Sequence, residues 1–223
     1  DGKLALVPKA GQYLTLRIND PAHKIDTTRN YSISDVVKGE GNNTYRFTTQ
    51  ILDKGVVTNY LKNHIDVGSE LKLHPPTGEF ILRQKTLAGD APATFIAAGS
   101  GVTPFISMAK ELRKTNPNQE ISLLTVNNTK TRQVLANEVD SLPNVKVAKL
   151  FATKDEIADE ASVPSAKFLE FLKQNNVAKT PGHNIYVVGP GGFMRTTHNA
   201  LTKDLGVKGD EINYEFFGPH VFF

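Results

Sequence analysis

Cysteine is absent from the 223-residue sequence, and its absence excludes several kinds of chemistry. The chain has no disulfides, no thiolate nucleophile and no cysteine-ligated zinc or iron–sulfur centre. A strong charge imbalance is missing as well. The formal net charge is +3 and no block of lysine and arginine stands out, which argues against a nucleic-acid partner. No apolar run approaches the ~20 residues that a membrane-spanning helix needs.

The rest of the composition is that of an ordinary globular protein, with 39% hydrophobic and 22% charged residues. The length allows one large domain or two of ordinary size. No signal peptide is visible, and we expect a cytoplasmic protein with no membrane partner. The sequence begins with Asp1 rather than Met, so we expect it to be processed or cut from something longer.

The first part of the chain, up to about residue 83, favours β structure. Apolar residues alternate with polar ones over 12–18, which places Leu14, Leu16 and Ile18 on one face of a strand. Short strands separated by turn-forming residues are typical of an antiparallel barrel or sandwich. Further strands are predicted over 29–34, 44–52 and 69–73, and a helix over 56–64.

Beyond a predicted linker at 84–92, strand and helix patterns alternate, which predicts a parallel, doubly wound α/β sheet. The fold class expected is therefore two-domain, with an antiparallel β-barrel over 1–88 and an α/β domain over 89–223. In the second domain, the predicted strands lie at 94–98, 121–126, 145–151, 184–188 and 212–216, and the predicted helices at 105–114, 132–142, 165–175 and 193–205.

Two glycine-rich turns follow predicted strands in the second domain. The first is Gly99-Ser100-Gly101-Val102-Thr103-Pro104, and the second is Gly189-Pro190-Gly191-Gly192. Each leads into a helix, whose N-terminal N–H groups and dipole favour phosphate. The first turn is neither a P-loop nor a nucleophile elbow, because Gly-Lys-Ser/Thr and Gly-x-Ser-x-Gly are absent there. Two such turns at the carboxyl ends of strands predict a nucleotide crevice.

Four segments together resemble the ferredoxin–NADP reductase superfamily, and most closely the reductase portion of flavohaemoglobins. The resemblance covers essentially the whole chain. Arg29-Asn30-Tyr31-Ser32 is similar to the family's Arg-x-Tyr-Ser flavin motif. It implies that Arg29 pairs with the FAD pyrophosphate, Tyr31 lies on the isoalloxazine face, Ser32 bonds a flavin heteroatom, and Tyr13 lies near the FAD.

A second matching segment is Gly55-Val56-Val57-Thr58-Asn59-Tyr60-Leu61, similar to the family's Gly-x-Val-Ser-x-x-Leu. In the family this helix N-terminus holds the FAD pyrophosphate through backbone N–H groups. The resemblance therefore implies FAD contacts for Val56, Val57 and Thr58. The sequence departs at two positions, since Lys54 stands where a second glycine is common and Thr58 replaces serine.

Both glycine turns match the family's nicotinamide-nucleotide motifs. The segment from Gly99 to Pro104 is similar to Gly-x-Gly-x-Thr-Pro, which implies nucleotide contacts for each residue: Gly99, Ser100, Gly101, Val102, Thr103 and Pro104. The second turn is similar to Cys-Gly-Pro-x-x-Phe-Met and implies contacts for Gly189, Pro190, Phe193 and Met194. Val188 occupies the position of the family's cysteine.

The fourth match is the C-terminal segment, which looks like the flavohaemoglobin ending Tyr-Glu-x-Phe-Gly-Pro. It implies that Glu215 lies close to flavin and nicotinamide and tunes electron transfer, while Phe217 shields the isoalloxazine ring. The cofactor-binding residues implied by this segment are Phe216, Phe217, Gly218 and Pro219.

The resemblance implies an FAD-dependent oxidoreductase that takes hydride from NADH or NADPH and passes single electrons to an acceptor. Tyr31, Ser32 and Glu215 are then the residues at the reacting centre, and no metal is implied. The acceptor would be a globin haem, an iron–sulfur protein or another partner. No acidic residue follows the second predicted strand, where 127–132 contain lysine and arginine, yet the flavohaemoglobin resemblance favours NADH. The alternatives are a non-catalytic nucleotide-binding module and a stand-alone flavin or ferredoxin-type reductase.

Overall fold

The computed structural model describes residues 6–38, 43–177 and 183–217. The chain divides into two compact units, Asp1–Ile81 and Leu82–Phe223. Four strands of the first unit form an antiparallel sheet in the order β3-β2-β1-β4, accompanied by one helix. These elements are β1 (Tyr13–Asp20), β2 (Ile25–Lys38), β3 (Asn43–Phe47), α1 (Val56–His64) and β4 (Lys72–Leu73).

Alternation along β1 builds the core of the first unit. Leu14, Leu16 and Ile18 are 1–4% exposed, as the sequence pattern predicts, and Val57 of α1 packs against Leu16 and Ile18. Burying an aliphatic side chain of this size contributes about 1.5–3 kcal/mol. The strands β1 and β2 pair along their whole shared length, from Tyr13 opposite Ser32 to Asp20 opposite Ile25.

The second unit contains a five-stranded sheet in which every pair is parallel, in the order β7-β6-β5-β8-β9. Its strands are β5 (Ala93–Ala98), β6 (Ile121–Asn127), β7 (Val145–Phe151), β8 (Asn184–Gly189) and β9 (Ile212–Phe216). Its helices are α2 (Gln84–Leu87), α3 (Thr103–Thr115), α4 (Ala136–Asp140), α5 (Lys154–Ile157), α6 (Ala166–Gln174) and α7 (Gly191–Asn199).

This strand order contains a topological switch point. From β5 the chain adds β6 and β7 on one side, and then returns to add β8 and β9 on the other. The connections after β5 and β8 therefore leave the sheet side by side at its carboxyl edge, which is where open α/β sheets bind ligands. An antiparallel sheet followed by a parallel, doubly wound one confirms the predicted fold class.

Several predicted boundaries differ from the structure. The third predicted strand ends at Phe47 rather than 52, and the fourth is reduced to Lys72–Leu73. The predicted helix over 132–142 is interrupted because Leu135 adopts a left-handed φ of 52°, which leaves only α4. The helix predicted over 193–205 begins earlier, at Gly191, and continues as a π-helical turn over Ala200–Asp204.

The segment predicted as a linker is part of the second unit. It begins with α2 and is held by side chains from further along the chain. Gln119 Nε2 donates to the carbonyls of Thr86 (3.1 Å) and Ala91 (2.7 Å). The backbone N–H of Arg83 donates to the Tyr186 hydroxyl at 2.9 Å. These bonds explain why the division between the units comes after Ile81 rather than after residue 88.

Candidate flavin and nicotinamide-nucleotide sites

The first glycine turn lies directly against the end of the neighbouring strand. A Cβ added to Gly101 would come within 2.4 Å of the Val188 carbonyl oxygen in β8. Gly99 has a φ of 54°, a backbone conformation that glycine adopts without strain. A side chain at position 101 would therefore force the turn away from β8, whereas one at position 99 would only add backbone strain.

The second glycine turn packs in the same way against the end of β5. A Cβ on Gly189 would lie 2.6 Å from Phe193 Cδ1 and 3.0 Å from the Ala98 Cβ at the end of β5. Phe193 and Met194 are buried beneath the turn, at 6% and 0% exposure. The structure thus brings the two predicted turns together at the switch point between β5 and β8.

Both turns lead into helices whose N-termini are not capped by a side chain. Pro104 lies in the first turn of α3, and Pro190 is the N-cap residue of α7. Thr103 Oγ1 donates to the Ser100 carbonyl at 2.9 Å, which holds the shape of the first turn. A 3₁₀ turn over Gly99–Val102 runs directly into α3, so the N–H groups of that turn, together with the N-terminus of α7, make this edge of the sheet suitable for the pyrophosphate of a dinucleotide.

Glu215 lies on β9, next to the second turn. In the parallel pairing of β8 and β9, Glu215 is the partner of Val188 and Phe216 is the partner of Gly189. The half-buried carboxyl group loses hydration, and this burial raises the pKa of Glu215 to about 7. A carboxyl group that exchanges its proton near neutral pH therefore stands beside the candidate nucleotide site.

The residues of the flavin motif do not all lie on one face of β2. Tyr31 is paired with Leu14 and Arg29 with Leu16, whereas Ser32 is paired with Tyr13. Since side chains alternate along a strand, Arg29 and Tyr31 share one face, and Asn30 and Ser32 share the other. Four side chains in this arrangement cannot all contact one side of a flat ring, so the flavin would have to meet them at the end or edge of the strand.

Three of the motif side chains have contacts of their own. Tyr31 stacks on Phe47, with ring centroids 4.9 Å apart and planes inclined by 17°, and burial raises the pKa of the Tyr31 hydroxyl. Arg29 Nη1 donates to Thr27 Oγ1 at 2.8 Å and to the Thr28 carbonyl at 2.7 Å. Thr15 Oγ1 donates to Asn30 Oδ1 at 2.8 Å. The exposed Arg29 guanidinium retains further N–H donors that can bind a phosphate.

Tyr13 is held by a residue that the sequence motifs do not indicate. A Cβ on Gly78 would lie 2.9 Å from two carbon atoms of the Tyr13 ring, and Gly78 has a φ of 116°. The backbones of Tyr13 and Thr77 exchange hydrogen bonds of 2.9 and 3.0 Å. Gly78 therefore sets the position of the Tyr13 ring, and the only signal for it in the sequence is a glycine two residues after a Pro-Pro pair.

The N-terminus of α1 offers backbone donors rather than a hydroxyl group. Gly55 is the N-cap residue, and no side chain caps the helix. Thr58 Oγ1 already donates to the Gly55 carbonyl at 3.3 Å and accepts from the Leu52 N–H at 3.4 Å. The N–H groups of the first turn, at Val56 and Val57, are consequently the donors that would face a phosphate.

The structure distributes the predicted site residues between the two units. Tyr13, Arg29 to Ser32 and Val56 to Thr58 belong to the first unit, and the two turns and Glu215 belong to the second. Phe216 and Phe217 are half-buried at the end of β9, where the Phe217 N–H donates to the Gly189 carbonyl at 3.5 Å. Gly218 and Pro219 lie outside the described residues.

Within 6–38, 43–177 and 183–217, no helix has the length and apolarity to cross a membrane.

Comparison with known proteins agrees with this architecture. Residues 95–199 match the model of the oxidoreductase NAD-binding domain. A flavohaemoprotein of Rhodopirellula baltica is 32% identical over an alignment of 225 positions, gaps included. The alignment covers 95% of this chain and 53% of the relative. A flavohaemoprotein of Halalkalibacterium halodurans is 29% identical, with 98% and 54% coverage. The chain thus spans about half the length of the curated relatives it matches.

A solved structure with the same fold is the FAD/NAD-binding domain of nitric oxide dioxygenase from Vibrio cholerae. It superposes with a TM-score of 0.73 at 24% identity, covering 96% of this chain and 88% of that one. The motifs, the two-part fold and the curated relatives agree with one another. The chain belongs to the ferredoxin–NADP reductase superfamily of FAD-dependent NAD(P)H oxidoreductases, close to the reductase portion of flavohaemoproteins.

Proposed function

We propose that the chain transfers electrons from a nicotinamide nucleotide, through FAD, to the haem of a globin. The observation that carries the proposal is the packing of two glycine turns at the switch point of the parallel sheet, with Glu215 paired beside them. A globin acceptor is supported by the flavohaemoprotein relatives, which are about twice as long as the part that this chain matches.

The first unit would hold FAD. The N–H groups of Val56 and Val57 and the guanidinium of Arg29 would bind the pyrophosphate. Tyr31 would lie against the isoalloxazine ring, with Tyr13 and Ser32 at its edge. When bound, FAD supplies the chemistry that the side chains lack, since it accepts a hydride from NAD(P)H and releases the electrons one at a time.

The second unit would hold the nicotinamide nucleotide. The turn from Gly99 to Pro104 and the N-terminus of α7 would bind its pyrophosphate. Glu215 would hold a proton near neutral pH, because its pKa is raised to about 7. It can thereby neutralise charge as electrons arrive and leave.

The acceptor can be identified by offering different partners to the FAD-loaded chain under anaerobic conditions with NADH. We expect a ferric single-domain globin to be reduced at least tenfold faster than a [2Fe–2S] ferredoxin at the same concentration, each followed by its own absorbance. Faster reduction of the ferredoxin would contradict the haem assignment. Reduction of neither would contradict the proposed role in electron transfer.

A further inference from the structure

The strand that carries Glu215 lies at the edge of the parallel sheet. In the order β7-β6-β5-β8-β9, β9 pairs with β8 on one side only. An edge strand lacks half of the ladder hydrogen bonds of an inner strand, so its position depends more on its side chains. Glu215 is the fourth of the five residues in Ile212–Phe216. The contacts that hold this end of β9 therefore also hold Glu215 beside the second glycine turn.

Two side-chain hydrogen bonds attach β9 to neighbouring elements. Asn213 Nδ2 donates to the Ile185 carbonyl of β8 at 2.9 Å. The Tyr214 hydroxyl and His198 Nδ1 share a hydrogen bond of 2.8 Å, and the two ring centroids are 5.9 Å apart. The first bond adds to the pairing of β9 with β8, whereas the second attaches β9 to a different element, α7. It thus connects the strand of Glu215 to the helix that follows the second turn.

Tyr214 is held at both ends of its side chain. Its ring packs against the core of the second unit, which includes Met194 and Leu201. Its hydroxyl lies on His198, and both side chains are half-buried. Burial raises the pKa of the Tyr214 hydroxyl, which therefore keeps its proton for this hydrogen bond. A ring fixed by packing and by a directional bond sets the rotation of the strand about its own axis.

The helix α7 connects His198 with the second glycine turn. Because it runs from Gly191 to Asn199, its first turn carries the candidate phosphate-binding N–H groups and its last turn carries His198. Thr202 Oγ1 donates to the His198 carbonyl at 2.7 Å, within the π-helical turn that follows. Such turns are rare and are frequent at functional sites. A single helix therefore has the nucleotide turn at one end and the bond to β9 at the other.

Tyr214 and Glu215 are consecutive, so their side chains lie on opposite faces of β9. A bond that fixes Tyr214 on one face consequently fixes the direction of the Glu215 carboxyl on the other. Without the bond, the edge strand is free to turn and to expose that carboxyl group.

We infer that His198 is a positioning residue: through the Tyr214 hydroxyl it holds β9 against α7 and so places the Glu215 carboxyl beside the second glycine turn. This inference rests on the proposed function, in which Glu215 acts at the reacting centre. The glycine turns keep their own packing against β5 and β8 when the bond is removed. Loss of the bond should therefore change the surroundings of Glu215 and the rate of flavin reduction, but not the affinity for the nucleotide.

The first measurement follows the Glu215 carboxyl itself, by carbon-13 NMR of the FAD-loaded protein labelled at glutamate, with Glu215→Gln identifying the signal. The parent should titrate near pH 7. In Tyr214→Phe and in His198→Ala, the midpoint should fall towards the ordinary value of 4.5, because a displaced strand exposes the carboxyl group. His198→Asn keeps a polar atom at the distance of Nδ1 from the backbone, and it should restore part of the shift.

The second measurement separates positioning from binding. At saturating NADH, we expect flavin reduction in Tyr214→Phe to slow roughly two- to tenfold, the range for one neutral hydrogen bond. The Kd of NAD⁺, measured by calorimetry, should stay the same as in the parent.

Tyr186→Phe is the matched control. Tyr186 also has a hydrogen-bonded hydroxyl, which accepts from the Arg83 N–H at 2.9 Å and lies 2.7 Å from Thr86 Oγ1. Tyr186 lies on β8, however, and its hydroxyl contacts the segment of α2 instead of α7. The control should lower stability and leave the titration of Glu215 as it is in the parent.

A midpoint that stays at the parent value in both Tyr214→Phe and His198→Ala would overturn the inference, as would an equal fall in Tyr186→Phe. If Tyr214→Phe fails to fold, His198→Ala alone decides. If NADH does not reduce the flavin of the parent protein, the proposed function fails. The titration, which needs no nucleotide, still decides whether His198 places Glu215.

Discussion

Glu215 is a residue whose surroundings strongly alter its chemistry. Burial raises its pKa from 4.5 to about 7, so the folded chain binds this proton more tightly than the unfolded chain does. The corresponding stability is fully present below pH 4.5 and is lost as the pH rises towards 7. Above pH 7 the folded protein carries a partly desolvated carboxylate, which costs free energy.

Replacing Glu215 with glutamine should remove this pH dependence. We expect Glu215→Gln to be more stable than the parent by about 2 kcal/mol at pH 8, and to differ little at pH 4.5. Urea unfolding at the two pH values measures the difference, with Glu160→Gln, which alters an exposed acidic side chain, as the control. An unchanged difference between pH 4.5 and pH 8 would show that Glu215 titrates as an ordinary surface carboxyl.

At the scale of elements, the proposed nucleotide site depends on how closely the glycine turns approach the neighbouring strands. The Gly101 turn touches the backbone of β8, and backbone atoms cannot move aside as a side chain can. In contrast, a Cβ on Gly192 at the start of α7 would meet nothing within 4 Å. The two glycines therefore offer a matched pair of substitutions within the same site.

Gly101→Ala should lower the free energy of unfolding by about 1–3 kcal/mol, the usual range for overpacking, and weaken nucleotide binding. Gly192→Ala should be neutral or slightly stabilising, because alanine favours the helix by about 1 kcal/mol over glycine. Thermal unfolding and calorimetric titration with NAD⁺ measure both effects. Equal losses in the two variants would mean that the close approach of the first turn to β8 is not what holds the site together.

Element boundaries could be predicted where local sequence decides them. The buried strands β5, β6 and β8 are apolar runs bounded by turns, and each forms within a residue or two of its predicted range. The interrupted helix at Leu135 and the short β3 could not be predicted, because tertiary packing overrides local pattern there. The supposed linker was wrong for a related reason: its partners Gln119 and Tyr186 lie far along the chain.

The features of the candidate site also separate into those that local sequence decides and those that tertiary packing decides. The glycine turns and the α1 N-terminus could be predicted because they are contiguous motifs, in which Gly101 and Gly189 have no room for a side chain. The hydrogen bonds of the Thr58 hydroxyl and the contact of Gly78 with Tyr13 could not. Each depends on atoms brought together by folding.

At the scale of the whole molecule, the chain combines two units with different sheet types, each carrying one set of predicted cofactor residues. This division suits a reaction in which one unit binds FAD and the other binds the electron donor. No cysteine, and so no cysteine-ligated metal, takes part, so all redox chemistry would rest on the bound cofactors.

The most direct measurement is an anaerobic absorbance spectrum of the purified, FAD-loaded protein during stepwise addition of NADH and, separately, NADPH. The account predicts that one equivalent of NADH bleaches the visible flavin band, and that NADPH does so more slowly. A flavin band that neither nucleotide bleaches would contradict hydride transfer and leave a nucleotide-binding module. Failure to bind FAD at all would contradict the flavin site itself.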